Sequence, residues 1–565
     1  MKKNIVLSAL SVAVILALFL RGFNLGRLVT PYWEEMALGY DAYSIARTGA
    51  DHHGNFWPLV AFESFGDWKP SGYFYAAAAS IKVFGPTILA VRLPSFIAGM
   101  ALVVGMYFLS RLLLTEFAPR MSVSQRQIVQ VSSVMLAAVS SWLLMFSRAA
   151  WEVNLATALV VWAVVLFLLY VRGKSWLWSV LSVLLFVLSA YTYHATRIIA
   201  PALLLALLVY SFVPKAARFL KLKKKKFSSV PLLEFSIGIV FLLLMMPLLS
   251  SLRSPEVSQR FAETSIFSRL DIILESNQAR ELSGTPGAKL FFHRYVLFSR
   301  EIVSNLFSHF SLDFLFVHGD LNKRHSTGYM GHLYYLDLPL LLVGFYALVK
   351  RYRKLGLVLL FWILAGVVPA SISLATPHAL RILPIAPVLL FIASLGFSEG
   401  WILLVKNQKK LQRRVGIGVI CVFLCLYAVQ VFFFWRYYTK IYPAESSLEW
   451  QYGYQEAVVK AEHYVESGKL VAFTRGYGRP AMYYFFMNAV DPKEVQAFRS
   501  QARFDQSEFT SFKNIFFYDS VADATDADII FAAPSERITT FSNEFNLVDS
   551  ISSPTGETLW EVYEK

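Results

Sequence analysis

Charge is scarce in this sequence. Asp, Glu, Lys and Arg make up 16% of its 565 residues, against about 25% in a soluble globular protein, so most of its surface cannot face water. Cysteine is nearly missing too. Cys421 and Cys425 both fall inside an apolar run, which excludes a disulfide framework or thiolate cluster and leaves two buried helix residues. No P-loop and no Gly-x-Gly-x-x-Gly fingerprint occurs, so nucleotide-driven chemistry has no support. What the chain has instead is apolar surface: 56% hydrophobic and 16% aromatic residues.

That surface is organised in runs of roughly 17–25 residues, the length that crosses a hydrocarbon core. Lys2-Lys3 followed by Ile5–Leu20 lacks a small-residue cleavage site and reads as an uncleaved anchor. Further runs fall near 86–114, 128–146, 152–171, 175–191, 197–213, 232–252, 336–349, 355–375, 381–400 and 415–435. Together they predict a polytopic α-helical membrane protein with about 11 transmembrane helices, ends good to a few residues. The net charge of +15 is concentrated in short loops at 115–127, 172–174, 214–227, 350–354 and 406–414, most densely in Lys221-Leu222-Lys223-Lys224-Lys225-Lys226. All these loops lie on the side of the N-terminus, so that side is cytoplasmic and the positive charge is a topology signal, not a nucleic-acid patch.

The same alternation puts three segments outside. An outer loop, 22–85, carries interfacial helices; a second spans 253–335; and the tail, 436–565, forms a small extracytoplasmic α/β domain behind a membrane module of residues 1–435. Within the tail the pattern predicts a helix over Gln455–Ser467 and strands at Leu470–Thr474, Asn514–Tyr518, Asp528–Ala532 and Thr558–Tyr563.

Functional groups gather in the outer loops and at outer helix ends. Loop one holds Glu34-Glu35, then Gly39-Tyr40-Asp41-Ala42-Tyr43, then Gly66-Asp67-Trp68-Lys69-Pro70. Apolar residues at helical spacing from Glu34 to Arg47 predict a helix lying in the interface. The acidic pair in its first turn suits either the helix dipole or catalysis. Short outer turns contribute Arg148 and Glu152, then His194 and Arg197, then His378 and Arg381. Arginines at outer span ends oppose the topology rule and mark a site, although snorkelling or an Arg148–Glu152 helix pair would also place them there. Chemically the set suits transfer of a sugar from a lipid phosphate. A carboxylate takes the acceptor proton, and Arg and Lys hold the phosphate as its charge grows.

At these residues the chain resembles the GT-C class of integral-membrane glycosyltransferases, in the bacterial branch related to protein O-mannosyltransferases and lipid A aminoarabinose transferases. Glu34-Glu35 stands where that family has an acidic pair. Gly66-Asp67-Trp68-Lys69-Pro70-Ser71 matches its Gly-Asp-(aromatic)-Lys-Pro-Pro motif, and Arg92-Leu93-Pro94-Ser95 is similar as well. Two departures stand out: Glu34 replaces the usual Asp, and Ser71 the second Pro. The resemblance implies a polyprenyl-phosphate sugar donor and a protein, lipid or glycan acceptor on the outer face of the plasma membrane. It implies Glu34 as base with Glu35 in support. Lys69, Arg148, Arg197 and Arg381 would lie at the donor phosphate, and Glu152, His194 and His378 around them. A divalent ion near the loop-one acid in some relatives points to Asp67 and His325. Two rival readings use the same residues: a lipid-linked sugar flippase, and a non-catalytic envelope assembly factor of the same fold. A flippase would spread polar residues along the spans, whereas here they collect at outer ends.

The topology has a direct check. With Cys421 and Cys425 replaced, an impermeant thiol reagent applied to intact cells is expected to label a cysteine at position 500 and to leave one at 223 unlabelled. The opposite pattern inverts the orientation.

Overall fold

A computed structural model describes residues 3–173, 175–221, 230–251, 263–283, 287–406, 408–499, 504–505, 508–538 and 544–565. Residues 222–226 of the lysine run lie outside the described residues. The chain divides into two compact units. One comprises Met1–Gly22, Ile97–Ser147 and Trp151–Phe434; the other comprises Phe23–Phe96, Arg148–Ala150 and Trp435–Lys565.

The first unit is helical, and helices occupy each of the expected apolar runs. Among the described residues seven helices, counting those that extend beyond this unit, are long and apolar enough to cross a membrane: Asn4–Gly22, Ile88–Phe117, Glu152–Val171, Glu234–Ser251, Arg353–Ser371, Ala379–Lys406 and Lys410–Lys440. The protein is therefore a multi-pass membrane protein. Of the other expected runs, 197–213 lies within the 26-residue helix Thr196–Lys221, and the rest form shorter helices. Leu177–Thr192 is one, and the 128–146 run breaks at Ser140 into Val123–Val139 and Ser141–Phe146, the Ser140 hydroxyl accepting from Leu143 N at 3.3 Å. In Lys410–Lys440 only 17% of the most apolar stretch is buried, so Val415, Val422, Leu426 and Phe432 present an exposed apolar face suited to lipid, and Cys421 and Cys425, expected to be buried, are exposed on this helix as well.

Helices Asp337–Lys350 and Ala386–Trp401 pack closely. An added Cβ on Gly344 would collide with the Ile392 carbonyl, and one on Gly396 with the Leu340 carbonyl. Small residues that let two backbones approach are a usual device between membrane helices. Gly396-Phe397-Ser398-Glu399-Gly400 has the spacing of a serine-hydrolase nucleophile turn. It lies mid-helix with Ser398 buried, so it has none of the exposed strand-to-helix geometry that chemistry requires.

The second unit carries the sheet. Strand order is Ser511–Phe512, Ile515–Tyr518, Val471–Thr474, Ile529–Ala532, Thr558–Glu564, Asn546–Ser552. The central strand Val471–Thr474 pairs in parallel with both neighbours and is buried throughout, hence its unbroken apolar sequence. The four expected strands and the expected helix, Tyr454–Glu466, are present within a residue or so. Asn546–Ser552 escapes the sequence reading because it is an exposed edge with Ile551 alone buried, so no alternation marks it. Against the helix Trp33–Thr48 pack Gly72–Phe84 and Pro480–Met487. Residues 35–42, 44 and 45 are all buried, so burial runs round this helix rather than along one stripe. At Gly39 a Cβ would press on the Phe486 ring and Val91.

The glycine contact yields a prediction. Gly396→Val is expected to destabilise the protein by about 1–3 kcal/mol through overpacking, read as a lower Tm in detergent. Gly400→Ala, where an added Cβ meets nothing within 4 Å, should be neutral or slightly stabilising.

Candidate functional site

In the second unit the site begins with a hairpin. Strands Ala61–Ser64 and Asp67–Pro70 pair antiparallel with Phe62 opposite Lys69 and Glu63 opposite Trp68. Phe65 and Gly66 form the two-residue turn with φ of 50° and 81°, the doubly positive backbone that matches strand twist. This places the buried Lys69 so that its Nζ lies 2.7 Å from Glu34 Oε2 and 3.8 Å from Asp67 Oδ2. Glu34 and Glu35 occupy the first turn of the 33–48 helix, where the dipole favours carboxylates. Its Trp33 N–H donates to Gln451 Oε1 at 2.7 Å.

The two adjacent glutamates have different environments. Glu34 keeps 28% of its side chain exposed. Glu35 keeps 1% and accepts from Arg92 twice, Nε to Oε1 at 2.9 Å and Nη2 to Oε2 at 2.7 Å, and from Ala150 N at 2.8 Å. Arg92, fully buried, also donates to the carbonyls of Leu25 at 3.0 Å, Val29 at 3.1 Å and Thr30 at 3.3 Å. Arg148 is likewise internal at 2% exposure. Its guanidinium donates to the Phe23 carbonyl at 2.5 Å and lies over the rings of Trp435 and Tyr438 at 5.8 and 5.5 Å. Burial pulls it below its ordinary pKa, Tyr438 acting against and Arg92 with that trend. Such packing suits a positioning role better than contact with a ligand.

The first unit holds the remaining sequence candidates. Glu152 opens the helix Glu152–Val171. His194 and Arg197 stand between Leu177–Thr192 and Thr196–Lys221, with Arg197 Nε 3.4 Å from the Ala190 carbonyl. Arg381 donates to the Ala375 carbonyl at 3.1 Å. His325 and His378 come together with Asp320, a residue the sequence reading passed over; Asp320 Oδ2 is 3.3 Å from His325 Nδ1, 3.7 Å from His378 Nδ1 and accepts from Ala379 N at 2.8 Å. The signal for Asp320 was its place five residues before His325.

This group fits a divalent ion. One ligand atom from each of the three residues lies within 4.8 Å of the others, and His378 Nδ1 is buried without a hydrogen bond. Burial raises the Asp320 carboxyl, but the hydrogen bond and charge of His325, with His378, hold it below the usual carboxylate range. Burial, His325 and Arg381 push His378 down to about 3. Near neutral pH the pair thus offers a carboxylate and a neutral imidazole, the forms that bind metal. Asp67, the other metal candidate, lies in the second unit beside Lys69.

No protein-family model and no curated protein matches the sequence. Solved structures do match. The apo crystal structure of ArnT from Cupriavidus metallidurans superposes with a TM-score of 0.51 at 12% identity, over 99% of this chain and 97% of that one. The same protein bound to undecaprenyl phosphate gives 0.50 at 12% identity, over 100% and 98%. The oligosaccharyltransferase AglB from Archaeoglobus fulgidus gives 0.46 at 14% identity, over 87% of this chain and 64% of its own length. The chain has the ArnT fold, a GT-C architecture of membrane helices with a C-terminal sheet domain.

The contrast between the two glutamates can be measured. Glu35→Gln breaks a buried ion pair and should cost about 3–5 kcal/mol of stability. Glu34→Gln leaves the buried Lys69 with Asp67 Oδ2 at 3.8 Å and a carboxamide oxygen in reach, and should cost clearly less. Thermal unfolding of both variants checks the difference, and equal losses would contradict the assignment.

Proposed function

We propose that the protein transfers a sugar from a polyprenyl-phosphate donor to an acceptor hydroxyl on the extracytoplasmic face of the membrane, with Glu34 as general base. The observation that carries this reading is the partly open Glu34–Lys69 pair standing next to the sealed Glu35–Arg92 pair. One carboxylate of the acidic pair is spent on structure; the other keeps solvent access and a cation beside it.

In the proposed reaction the acceptor oxygen attacks the anomeric carbon while the bond from that carbon to the phosphate oxygen breaks. The electron pair leaves on the polyprenyl phosphate, and the acceptor proton passes to Glu34. Lys69 holds Glu34 in place and supplies positive charge for an anionic substrate. Arg197 and Arg381, with His194 and Glu152, are assigned to the donor on chemistry and family pattern, not on distance. Asp320, His325 and His378 would hold a divalent ion, which when bound supplies positive charge for a leaving phosphate. Glu35 and Arg148 become positioning residues, Glu35 through Arg92 and Arg148 through Trp435 and Tyr438. The ArnT fold supports the reading, and that ArnT was crystallised bound to undecaprenyl phosphate makes a lipid phosphate the first donor to try.

Glu34→Gln retains size and removes the proton acceptor, so turnover should fall by about 10²–10⁴-fold while donor binding changes little. Glu34→Asp should keep substantial activity. Release of polyprenyl phosphate and equilibrium donor binding, measured side by side, check both. Full turnover in the Gln variant would remove Glu34 as base.

A further inference from the structure

We infer that His52, His53 and Glu63 form a separate binding site for a zinc-class divalent ion, with Asp41 as the carboxylate that orients His52. The three residues each offer a ligand atom within 4.8 Å of the others, and none belongs to the residues assigned above to transfer or to the Asp320 group.

The local sequence builds this geometry. The 33–48 helix ends at Gly49, whose φ of 76° lets the chain turn back. Asp51 Oδ1 then accepts from the backbone N–H of His53 at 2.9 Å and of Asn55 at 2.8 Å, holding the loop in a tight turn. Asp41 reaches up from the helix. Its Oδ1 accepts from His52 N at 3.1 Å and from His52 Nδ1 at 2.6 Å, and its Oδ2 accepts from Ser64 Oγ at 2.7 Å. With Nδ1 directed at Asp41, Nε2 is the nitrogen of His52 left for a ligand. That nitrogen is fully buried and makes no hydrogen bond, while the ring stacks on Phe65 at 4.2 Å between centroids. Glu63, in the hairpin, contacts His53 Nε2 through Oε2 and accepts from Gly66 N at 2.5 Å through Oε1.

An ordinary ion pair accounts for His53 and Glu63 but not for His52. A buried imidazole nitrogen with no hydrogen bond carries an uncompensated desolvation cost, and coordination to a cation shared by the three residues removes it. Two imidazoles and one carboxylate are a zinc donor set that leaves a fourth position for water. The carboxylate–histidine hydrogen bond from Asp41 is the usual outer support of such a ligand, fixing its tautomer. The ion would fasten the loop after the 33–48 helix to the hairpin that carries Lys69. It does not depend on the proposed transfer reaction.

The test uses full-length protein in detergent, stripped with a chelator and titrated with Zn²⁺ alone. An Asp320→Asn variant, which disables the other group, should still bind about one equivalent. Adding Glu63→Gln or His53→Gln should abolish that binding, and Asp41→Asn should weaken it by about 10- to 100-fold. Zinc should raise the Tm of the Asp320→Asn protein and leave the Tm of the Glu63→Gln double variant unmoved, which separates lost ligation from lost folding. No zinc binding by the Asp320→Asn protein, or equal binding after Glu63→Gln, overturns the site.

Discussion

The second unit is organised around the buried ion pair of Glu35 with Arg92. Taking either charge out of water costs several kcal/mol, and the structure offsets this by giving both groups several partners. Glu35 accepts from the guanidinium and from Ala150 N. Arg92 donates also to the carbonyls of Leu25, Val29 and Thr30. One contact set therefore ties the chain before the 33–48 helix, the helix start, the beginning of Ile88–Phe117 and the short 148–150 turn. Such a set adds little net stability but admits few alternative arrangements. It anchors the helix turn that carries Glu34, the residue before Glu35.

Neighbouring glutamates thus have unlike fates because successive helix residues point about 100° apart. Glu35 turns into the packed interior and Glu34 toward the hairpin, where Lys69 meets it at 2.7 Å. The hairpin is in turn held by its Phe65-Gly66 turn and by Ser64 on Asp41. The candidate base is therefore supported from the helix side by Arg92 and from the hairpin side by the Asp41 network. This is the supported geometry a reacting carboxylate needs.

Much of this was legible in the sequence. Apolar length located the helices, because lipid imposes continuous hydrophobic runs. The strands Val471–Thr474 and Ile529–Ala532 were legible for the related reason that a strand buried on both faces is apolar throughout. The solvated edge Asn546–Ser552 has no such constraint and left no pattern. Among the candidate site residues, the pair Glu34-Glu35 and the Asp67–Lys69 motif were visible as a cluster of costly groups. Which glutamate was spent on structure was not visible, since the answer lies in Arg92, 57 residues away from Glu35. The His52–His53–Glu63 group was also hidden, and Asp320 is marked only by its nearness in sequence to His325, because isolated acids and histidines carry no periodic signal until the fold brings them together. Arg148 stands out in the sequence as a costly charge between apolar runs, and the structure sets it against aromatic rings and a backbone carbonyl, partners no local pattern shows.

The central claim is glycosyl transfer from a lipid phosphate, and phosphorus NMR addresses it most directly. Purified protein would be incubated with a panel of polyprenyl-phosphate sugars and envelope extract as the acceptor source. The account predicts that for one donor the phosphodiester signal converts to a phosphomonoester, with the sugar recovered in the acceptor fraction. A phosphodiester that persists for every donor, in protein shown to bind polyprenyl phosphate, would contradict it and leave a binding protein of the same fold.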